Sequence, residues 1–314
     1  MSLKSSSDEA KGEIMTTLTE NIKAEARRLG FFACGAAKAE KVEDNIASAY
    51  RKWVAEDGYA SMGYMADNVE KRLDPSLLVE GVKSIVCVAL GYAPSRRMSE
   101  GEYQIAAYAY GKDYHDIMKS KLHKLAAICG ITDYRAFCDT APVMERYWAV
   151  KAGLGWTGRH HQLIIPHAGT MFYLGELFLP IELDYDEPLT SLCGTCHACI
   201  DACPTGALSS SPFDAEKCLS YQTIENRGEL SEEAKRNMGD YIYGCDRCQA
   251  ACPWNKFATP TDEPLLQPSE QLMAMRKDDW DRLTPDQYRS LFKGSAVKRA
   301  KYEGLMRNIK SRRK

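Results

Sequence analysis

Cys193-Gly194-Thr195-Cys196-His197-Ala198-Cys199-Ile200-Asp201-Ala202-Cys203-Pro204 is the segment from which the rest of the chain can be read. Its spacing, Cys-x2-Cys-x2-Cys-x3-Cys-Pro, is that of bacterial ferredoxins. Three thiolates wrap the corners of one [4Fe–4S] cubane, and the fourth, set before proline, ligates a second. Zinc sites also use Cys-x2-Cys pairs, but four cysteines in this order, trailed by Pro204-Thr205-Gly206, point to iron–sulfur chemistry. A second run, Cys245-x2-Cys248-x3-Cys252-Pro253, lacks its leading cysteine, because Ile242 stands in that place. Cys218 is the nearby substitute. Crossed ligation assigns Cys193, Cys196, Cys199 and Cys252 to one cluster, and Cys203, Cys218, Cys245 and Cys248 to the other. Two neighbouring cubanes form a wire for single electrons at low potential, and a wire needs chemistry at its end.

The 190 or so residues before the clusters are expected to carry that chemistry. The chain has 314 residues, of which 45% are hydrophobic, as in an ordinary globular protein. No run reaches the roughly 18 apolar residues needed to span a bilayer. Ser84–Leu90 and Met171–Leu179 read as buried strands. With no secretory signal, the twelve cysteines are expected in a reducing cytoplasm, where clustered thiols bind metal rather than form disulfides. Cys34, Cys87, Cys129 and Cys138 lie in apolar contexts and read as inert buried thiols. A net charge of −2 excludes a uniformly basic nucleic-acid binder. From Lys293 onward, however, nine Lys or Arg residues stand against one acid, Glu303. That stretch fits either a solvated helix face or contact with a polyanion.

Periodicity predicts an α+β fold: a mixed sheet covered by helices, then a ferredoxin-like domain with two clusters, then a short helical C-terminus. Leu18, Ile22, Ala26 and Leu29 share a helical face stopped by Gly30. Val42, Ile46, Ala49, Tyr50 and Trp53 mark a second helix. Phe31–Ala36, Ser84–Leu90 and Tyr134–Cys138 read as strands. Asp113 caps a helix closed by Gly130. Pro142 starts a helix through Ala152. Gln162–Pro166 and Met171–Leu179 read as strands paired around His167-Ala168-Gly169. Thr284 caps a helix to Lys293, and Ala296–Lys310 reads as one more. The expected organisation is a disordered tail over residues 1–13, a catalytic domain over 14–187, the cluster domain over 188–260 and a helical segment with a basic tail over 261–314.

Asp139-Thr140-Ala141-Pro142-Val143-Met144-Glu145-Arg146, followed by Gly153-Leu154-Gly155-Trp156-Thr157-Gly158-Arg159, resembles the signature of epoxyqueuosine reductases. So do Gly111-Lys112-Asp113-Tyr114-His115, Lys71-Arg72-Leu73-Asp74-Pro75 ahead of Gly81, the cysteine runs with Cys218, and Cys252-Pro253-Trp254-Asn255. The resemblance covers roughly residues 15–310. It implies that the N-terminal domain holds cobalamin, as cob(II)alamin, beside one cluster. It further implies reduction of the epoxide of epoxyqueuosine at the wobble position of tRNA. The partners so implied are the tRNA anticodon arm and an external low-potential electron donor, with no membrane. One motif can be compared with the cofactor. Cobalamin enzymes that supply a lower histidine use Asp-x-His-x-x-Gly, whereas Asp113-Tyr114-His115-Asp116-Ile117-Met118 ends in methionine. That agrees with binding without a lower histidine ligand. Two departures stand out. The family's usual Gly-Lys-Asn reads Gly158-Arg159-His160, and only the beginning of a C-terminal helical-repeat extension, Lys298–Asn308, is recognisable.

Epoxide removal takes two electrons and two protons and releases water. The resemblance implies attack by Co(I) cobalamin on an epoxide carbon, with Asp139 as the general acid. Burial against the corrin is expected to raise its pKa. From the residues alone, Asp139 reads as a cap for the Pro142 helix. Arg146 is a contact to cofactor or substrate, or else a surface salt bridge. Arg72, Tyr114 and His115 are further candidates for the cofactor pocket. The backbone at His161, Gln162 and Leu163 is where the resemblance places cobalamin, although His160 and His161 also read as exposed histidines. Trp156 reads as core. Two other functions fit parts of the pattern. One is a soluble electron carrier with an accessory domain. The other is a corrinoid reductive dehalogenase, whose twin-arginine export signal the N-terminus lacks.

Overall fold

The apolar run from Ser84 forms the strand on which the fold is built. In the computed structural model, which describes residues 17–209 and 212–312, the strands are β1 (Ala33–Lys38), β2 (Ser84–Gly91), β3 (Gln104–Ile105), β4 (Arg135–Phe137), β5 (Trp156–Thr157), β6 (Leu163–Ile164), β7 (Phe172–Leu179) and β8 (Tyr241–Tyr243). The expected tail over residues 1–13 lies outside the described residues, as do Arg313 and Lys314. One sheet has the order β1-β2-β7-β4. β2 is flanked on both sides, by β1 from Ala33↔Ala89 to Lys38↔Ser84 and by β7 from Ser84↔Leu179 to Gly91↔Phe172. Alternate side chains of a strand face opposite ways. Val86, Val88 and Leu90 enter one core with Ile22, Met118 and Leu122, while Ile85, Cys87 and Ala89 enter another with Trp148 and Phe178.

Every pair in this sheet is antiparallel, which corrects the expected mixed sheet. Helices between strands suggest parallel crossovers. The β1–β2 link instead holds two helices, α2 (Asp44–Ala55) and α3 (Val69–Leu73), so the chain can run out and back and re-enter at the end it left. The parallel pairing is elsewhere, between β3 and β8. The expected pairing of Gln162–Pro166 with Met171–Leu179 is also corrected. β6 pairs with β5, β7 pairs with β2 and β4, and a single bridge, Ile165↔Gly169, spans the turn. β7 is already held on both edges and cannot accept a third partner.

The helices are α1 (Leu18–Arg28), α2 (Asp44–Ala55), α3 (Val69–Leu73), α4 (Tyr114–Ile128), α5 (Glu145–Lys151), α6 (Ala198–Asp201), α7 (Leu219–Ile224), α8 (Glu232–Asn237), α9 (Arg247–Ala250), α10 (Glu270–Ala274), α11 (Lys277–Asp281), α12 (Pro285–Leu291) and α13 (Lys301–Lys310). Asp113 caps α4 by accepting the His115 N–H, and Thr284 caps α12 in a reciprocal capping box with Gln287. Two boundaries differ from expectation. α5 starts at Glu145 rather than Pro142, because Thr140 and Val143 bond back to Cys138 and Ala141 in tight turns. The Ala296–Lys310 stretch breaks into a 3-10 turn, Ala296–Ala300, and α13, with Lys301 at φ +59 between them. The C-terminal end of α5 presses on β1 so closely that a Cβ on Gly35 would lie 2.0 Å from the Ala152 carbonyl oxygen.

The C-terminal helices continue the first core. Trp280, Phe292, Val297, Leu305 and Ile309 pack with Ile105 and Tyr243. Asn308, with 0% exposure, joins α13 to the cluster segment. Its Nδ2 donates to the Thr223 and Ile242 carbonyls, both at 2.8 Å. Asn308→Ala leaves both buried acceptors unpaired. It should lower unfolding stability by about 1–3 kcal/mol, measured by denaturant titration. A loss under about 0.5 kcal/mol, the scale of an ordinary surface change, would show that the bridge holds little.

Candidate active site and cluster-binding centres

The tight turns before α5 leave Asp139 in the left-handed region, at φ +58, a conformation unusual for a residue with a side chain. Its carboxylate meets the start of α4. Tyr114 Oη donates to Asp139 Oδ2, and His115 Nε2 lies 3.4 Å from the same oxygen. His115 Nδ1 bonds Asp113 Oδ1 at 2.6 Å, so the imidazole is held between two carboxylates. Tyr114 stacks on Tyr173 from β7 with centroids 4.3 Å apart and planes 5° from parallel. The Asp139 N–H donates to Glu145 Oε1. Asp139 is therefore not the cap of α5. Met144 holds that position, without a side-chain cap bond.

The protein's own groups act on the Asp139 carboxyl in opposite directions. Burial opposes charge on Asp139, but hydrogen bonds from His115 and Tyr114, with the charges of His115 and Arg146, outweigh it and hold the carboxyl below its ordinary pKa. Its side chain keeps 58% exposure. The protons sit on its neighbours. The hydrogen bonds to Asp113 and Asp139 raise His115 to about 9. Burial and the Asp139 charge push Tyr114 far above the ordinary phenol range. Behind them lie two more carboxyls. Burial and then the Asp139 charge raise Glu145. Burial and then the Glu145 charge raise Glu176 well above its usual value. Glu176 is 0% exposed on β7.

The other candidates are distributed around this group. Arg146, on the first turn of α5, is exposed. Its charge acts on Asp139, Glu145, His160 and His161. Arg72 is directed inward, donating to the Val143 and Tyr64 carbonyls at 3.4 and 3.2 Å, and so braces the turn before α5. His161, at φ +60, is exposed as a residue, but its ring approaches Phe213 with centroids 5.3 Å apart. Burial and the Arg146 charge hold it below the usual imidazole pKa. Gln162 is half-buried, and Leu163 is buried in β6. His160 is not an exposed histidine. It is 3% exposed, and burial lowers it to about 4.

The cysteines fall into two neighbourhoods. Cys193, Cys196, Cys199 and Cys252 line one cavity of about 390 Å³. Cys203, Cys218 and Cys245 all act electrostatically on Cys248. The short helices α6 and α9, which carry Cys199 and Cys248, pack against each other. In the second group burial pushes Cys245 up to about 11 and Cys248 up to about 12. The remaining four cysteines stay apart from both. Cys87 and Cys138 are buried, and Cys34 and Cys129 are partly so. Three groups escaped the sequence reading: Glu145, Glu176 and the orphaned ring of His160. Glu176 had a signal, a lone charge inside the apolar strand Phe172–Leu179.

Known proteins agree with this arrangement. A family model described as a 4Fe-4S double cluster binding domain matches residues 192–255. Another, described as Epoxyqueuosine reductase QueG, DUF1730, matches residues 72–140. An epoxyqueuosine reductase from Cellulophaga algicola is 45% identical over 294 residues, covering 92% of this chain and 95% of that protein. A crystal structure of an epoxyqueuosine reductase with a tRNA-Tyr epoxyqueuosine-modified stem loop superposes with a TM-score of 0.85. It has 29% identity and covers 94% of this chain and 80% of that one. The Bacillus subtilis epoxyqueuosine reductase, in a structure with its aspartate catalytic loop swung out of the active site, superposes at 0.84. Identity is again 29%, with the same coverage of 94% and 80%. The fold and a double-cluster segment are thus shared with oxidoreductases of queuosine biosynthesis, and the chain belongs to the epoxyqueuosine reductase family.

Proposed function

We propose that this chain reduces epoxyqueuosine to queuosine at the wobble position of tRNA, with cobalamin as its cofactor, Asp139 as general acid and electrons supplied through two [4Fe–4S] clusters. The observation that carries the reading is the carboxylate of Asp139 held at positive φ between two proton-bearing side chains, Tyr114 and His115. The cysteine groups fit two cubanes: Cys193, Cys196, Cys199 and Cys252 hold one, and Cys203, Cys218, Cys245 and Cys248 the other. Residues 14–187 then act as the catalytic domain, 188–260 as the wire and 261–314 as a helical brace. For cobalamin, the fit rests on Arg146. Its guanidinium has no hydrogen bond or ion pair among the described residues, yet it faces both the Asp139 turn and the His160–His161 turn. Arg146, Tyr114, His115 and the backbone of His161, Gln162 and Leu163 would hold the corrinoid. Arg72 supports them from beneath. When bound, reduced cobalamin supplies the nucleophile that opens the epoxide.

The chain's own task is the proton. As the ring opens, charge grows on the former epoxide oxygen, and an alkoxide leaves poorly unless protonated. Asp139 stands ionised beside the protonated His115. Exclusion of water by cofactor and substrate raises the carboxyl pKa, so the proton passes from His115 Nε2 to Asp139 and on to that oxygen. Two electrons and a second proton then release the oxygen as water and leave the alkene. The aspartate catalytic loop of the Bacillus subtilis relative, swung out of its active site, supports placing this role on the Asp139 turn.

The tRNA arm is proposed to meet the basic C-terminal segment. Arg299 is paired with Glu225 at 2.7 Å, and Arg307 is spent on the Gln222, Asn226 and Gly228 carbonyls. Lys293, Lys298, Lys301 and Lys310 remain exposed for phosphate. The structure with a tRNA stem loop supports this class of partner.

Asp139→Asn should keep both clusters and their reduction while lowering single-turnover epoxide reduction by about 10²-fold or more. Near-normal single-turnover rates would remove Asp139 from the chemistry. Anaerobic protein should contain about eight irons, and Cys218→Ala should fall toward about four. Unchanged iron would show that Cys218 is not a ligand. Because the folded pKa of His115 is raised to about 9, its pairing contributes full stability below the unfolded value near about 6.5 and loses it as pH rises through about 9. Asp113→Asn should therefore lower the melting temperature near pH 6 but hardly at all above about pH 10. Equal destabilisation at both pH values would argue against a charged His115.

A further inference from the structure

His160 follows the Gly-rich turn after β5, and the ring occupies space that only glycine leaves at position 158. A Cβ there would lie 2.6 Å from His160 Cε1. One ring nitrogen is accounted for. His160 Nδ1 lies 3.2 Å from the Gln162 backbone nitrogen, whose N–H it accepts. An imidazole that accepts at Nδ1 is neutral and carries its proton on Nε2. That Nε2–H has no acceptor among the described residues, although His160 is 3% exposed. A buried donor without a partner is costly, and such groups are rare in folded proteins. The ring lines the same cavity as Cys193, Cys196, Cys199 and Cys252. A second ring donor already serves this group: Trp156 Nε1 donates to Cys193 Sγ at 3.4 Å.

We propose that His160 donates its Nε2–H to a sulfur of the cluster held by Cys193, Cys196, Cys199 and Cys252, and thereby raises that cluster's reduction potential above the value its ligands alone would set. The inference rests on the cluster assignment of the preceding subsection. Reduction places one more electron on the iron–sulfur core, and the added negative charge is shared by its sulfurs. A fixed N–H aimed at a sulfur stabilises the reduced form more than the oxidised one. No bond is made or broken and no proton moves. The other cysteine group lacks a counterpart with the same signature among the described residues, since His160 is the histidine with an orphaned buried nitrogen. The two cubanes would then differ in potential, and electrons would settle preferentially on the one beside His160.

The test is a redox titration of anaerobic, two-cluster protein followed by electron paramagnetic resonance. His160→Phe keeps the ring volume and removes the donor. It should shift the reduction equilibrium of one cluster about tenfold toward the oxidised form, or about 59 mV for one electron, and leave the other cluster in place. His160→Gln, whose amide can donate, should shift it by less than about threefold. Trp156→Phe should move the same cluster in the same direction. Unchanged potentials in His160→Phe with iron retained would overturn the proposal. If that variant loses iron, the unsubstituted protein decides. After 15N-histidine labelling, pulsed resonance of the reduced cluster should show a 15N coupling that disappears in His160→Gln labelled alike, and absence of any coupling would also overturn it. Failure of the underlying assignment reads differently, as iron well below eight per chain or as missing cubane signals in the unsubstituted protein.

Discussion

Eight residue pairs, from Ser84↔Leu179 to Gly91↔Phe172, join β2 to β7, and the functional loops hang from that seam. β7 carries Tyr173, on which Tyr114 stacks, and Glu176, which lies behind Asp139. Its other edge holds β4, the strand that delivers the chain to Cys138 and Asp139. A slip of one residue would turn every side chain of β7 to the opposite face. Glu176 would enter the core of Val86 and Leu90, and Tyr173 would leave Tyr114 unsupported. The register is secured by apolar residues on both faces, so the reactive turn is positioned by parts of the chain that take no part in chemistry.

Around that turn, charge is distributed rather than accumulated. Asp113, Asp139, Glu145 and Glu176 bring four carboxyls near one another. Four negative charges in a half-buried volume would repel strongly, since like charges at short range disfavour ionisation. The arrangement separates them by depth. The two outer carboxyls, Asp113 and Asp139, are ionised and share His115. The inner pair is pushed toward the protonated form, and Glu176 holds its proton. Arg146 adds one positive charge at the rim. The outcome is a site near neutrality with two proton carriers beside the aspartate, His115 raised to about 9 and the Glu145 carboxyl raised to about 7.

The cysteine runs were readable because ligand spacing is written directly in the chain, and Cys218 followed from the gap that Ile242 leaves. Strand and helix existence was equally plain in Ser84–Leu90 and in the α4 face. Strand direction was not, because it depends on how many helices a connection contains and which way they return. The protonation of Asp139 was also beyond the sequence. It is decided by Tyr114 and His115, which lie some two dozen residues earlier and meet Asp139 only through the packing of α4 on β7. Burial by the protein's own groups opposes charge on Asp139, and the hydrogen bonds from His115 and Tyr114 with the charges of His115 and Arg146 outweigh it. Proline at position 142 suggested a helix start, but a succession of short turns took precedence and created the positive φ on which the site depends.

The parallel pairing of β3 with β8 has a consequence for how the molecule forms. Gln104↔Tyr241 closes a very long loop, inside which lie β4, β7, the first cysteine run and Cys218. Closing such a loop costs entropy that grows with the logarithm of its length, and no local contact repays it in advance. The four-stranded sheet can assemble once residue 179 is available, whereas β8 joins β3 only across that long loop. Folding is therefore expected to proceed in two stages of different speed. The slow stage is the one that docks β8 on β3, so the nascent four-stranded sheet exists for a time as a finished platform awaiting the rest of the chain.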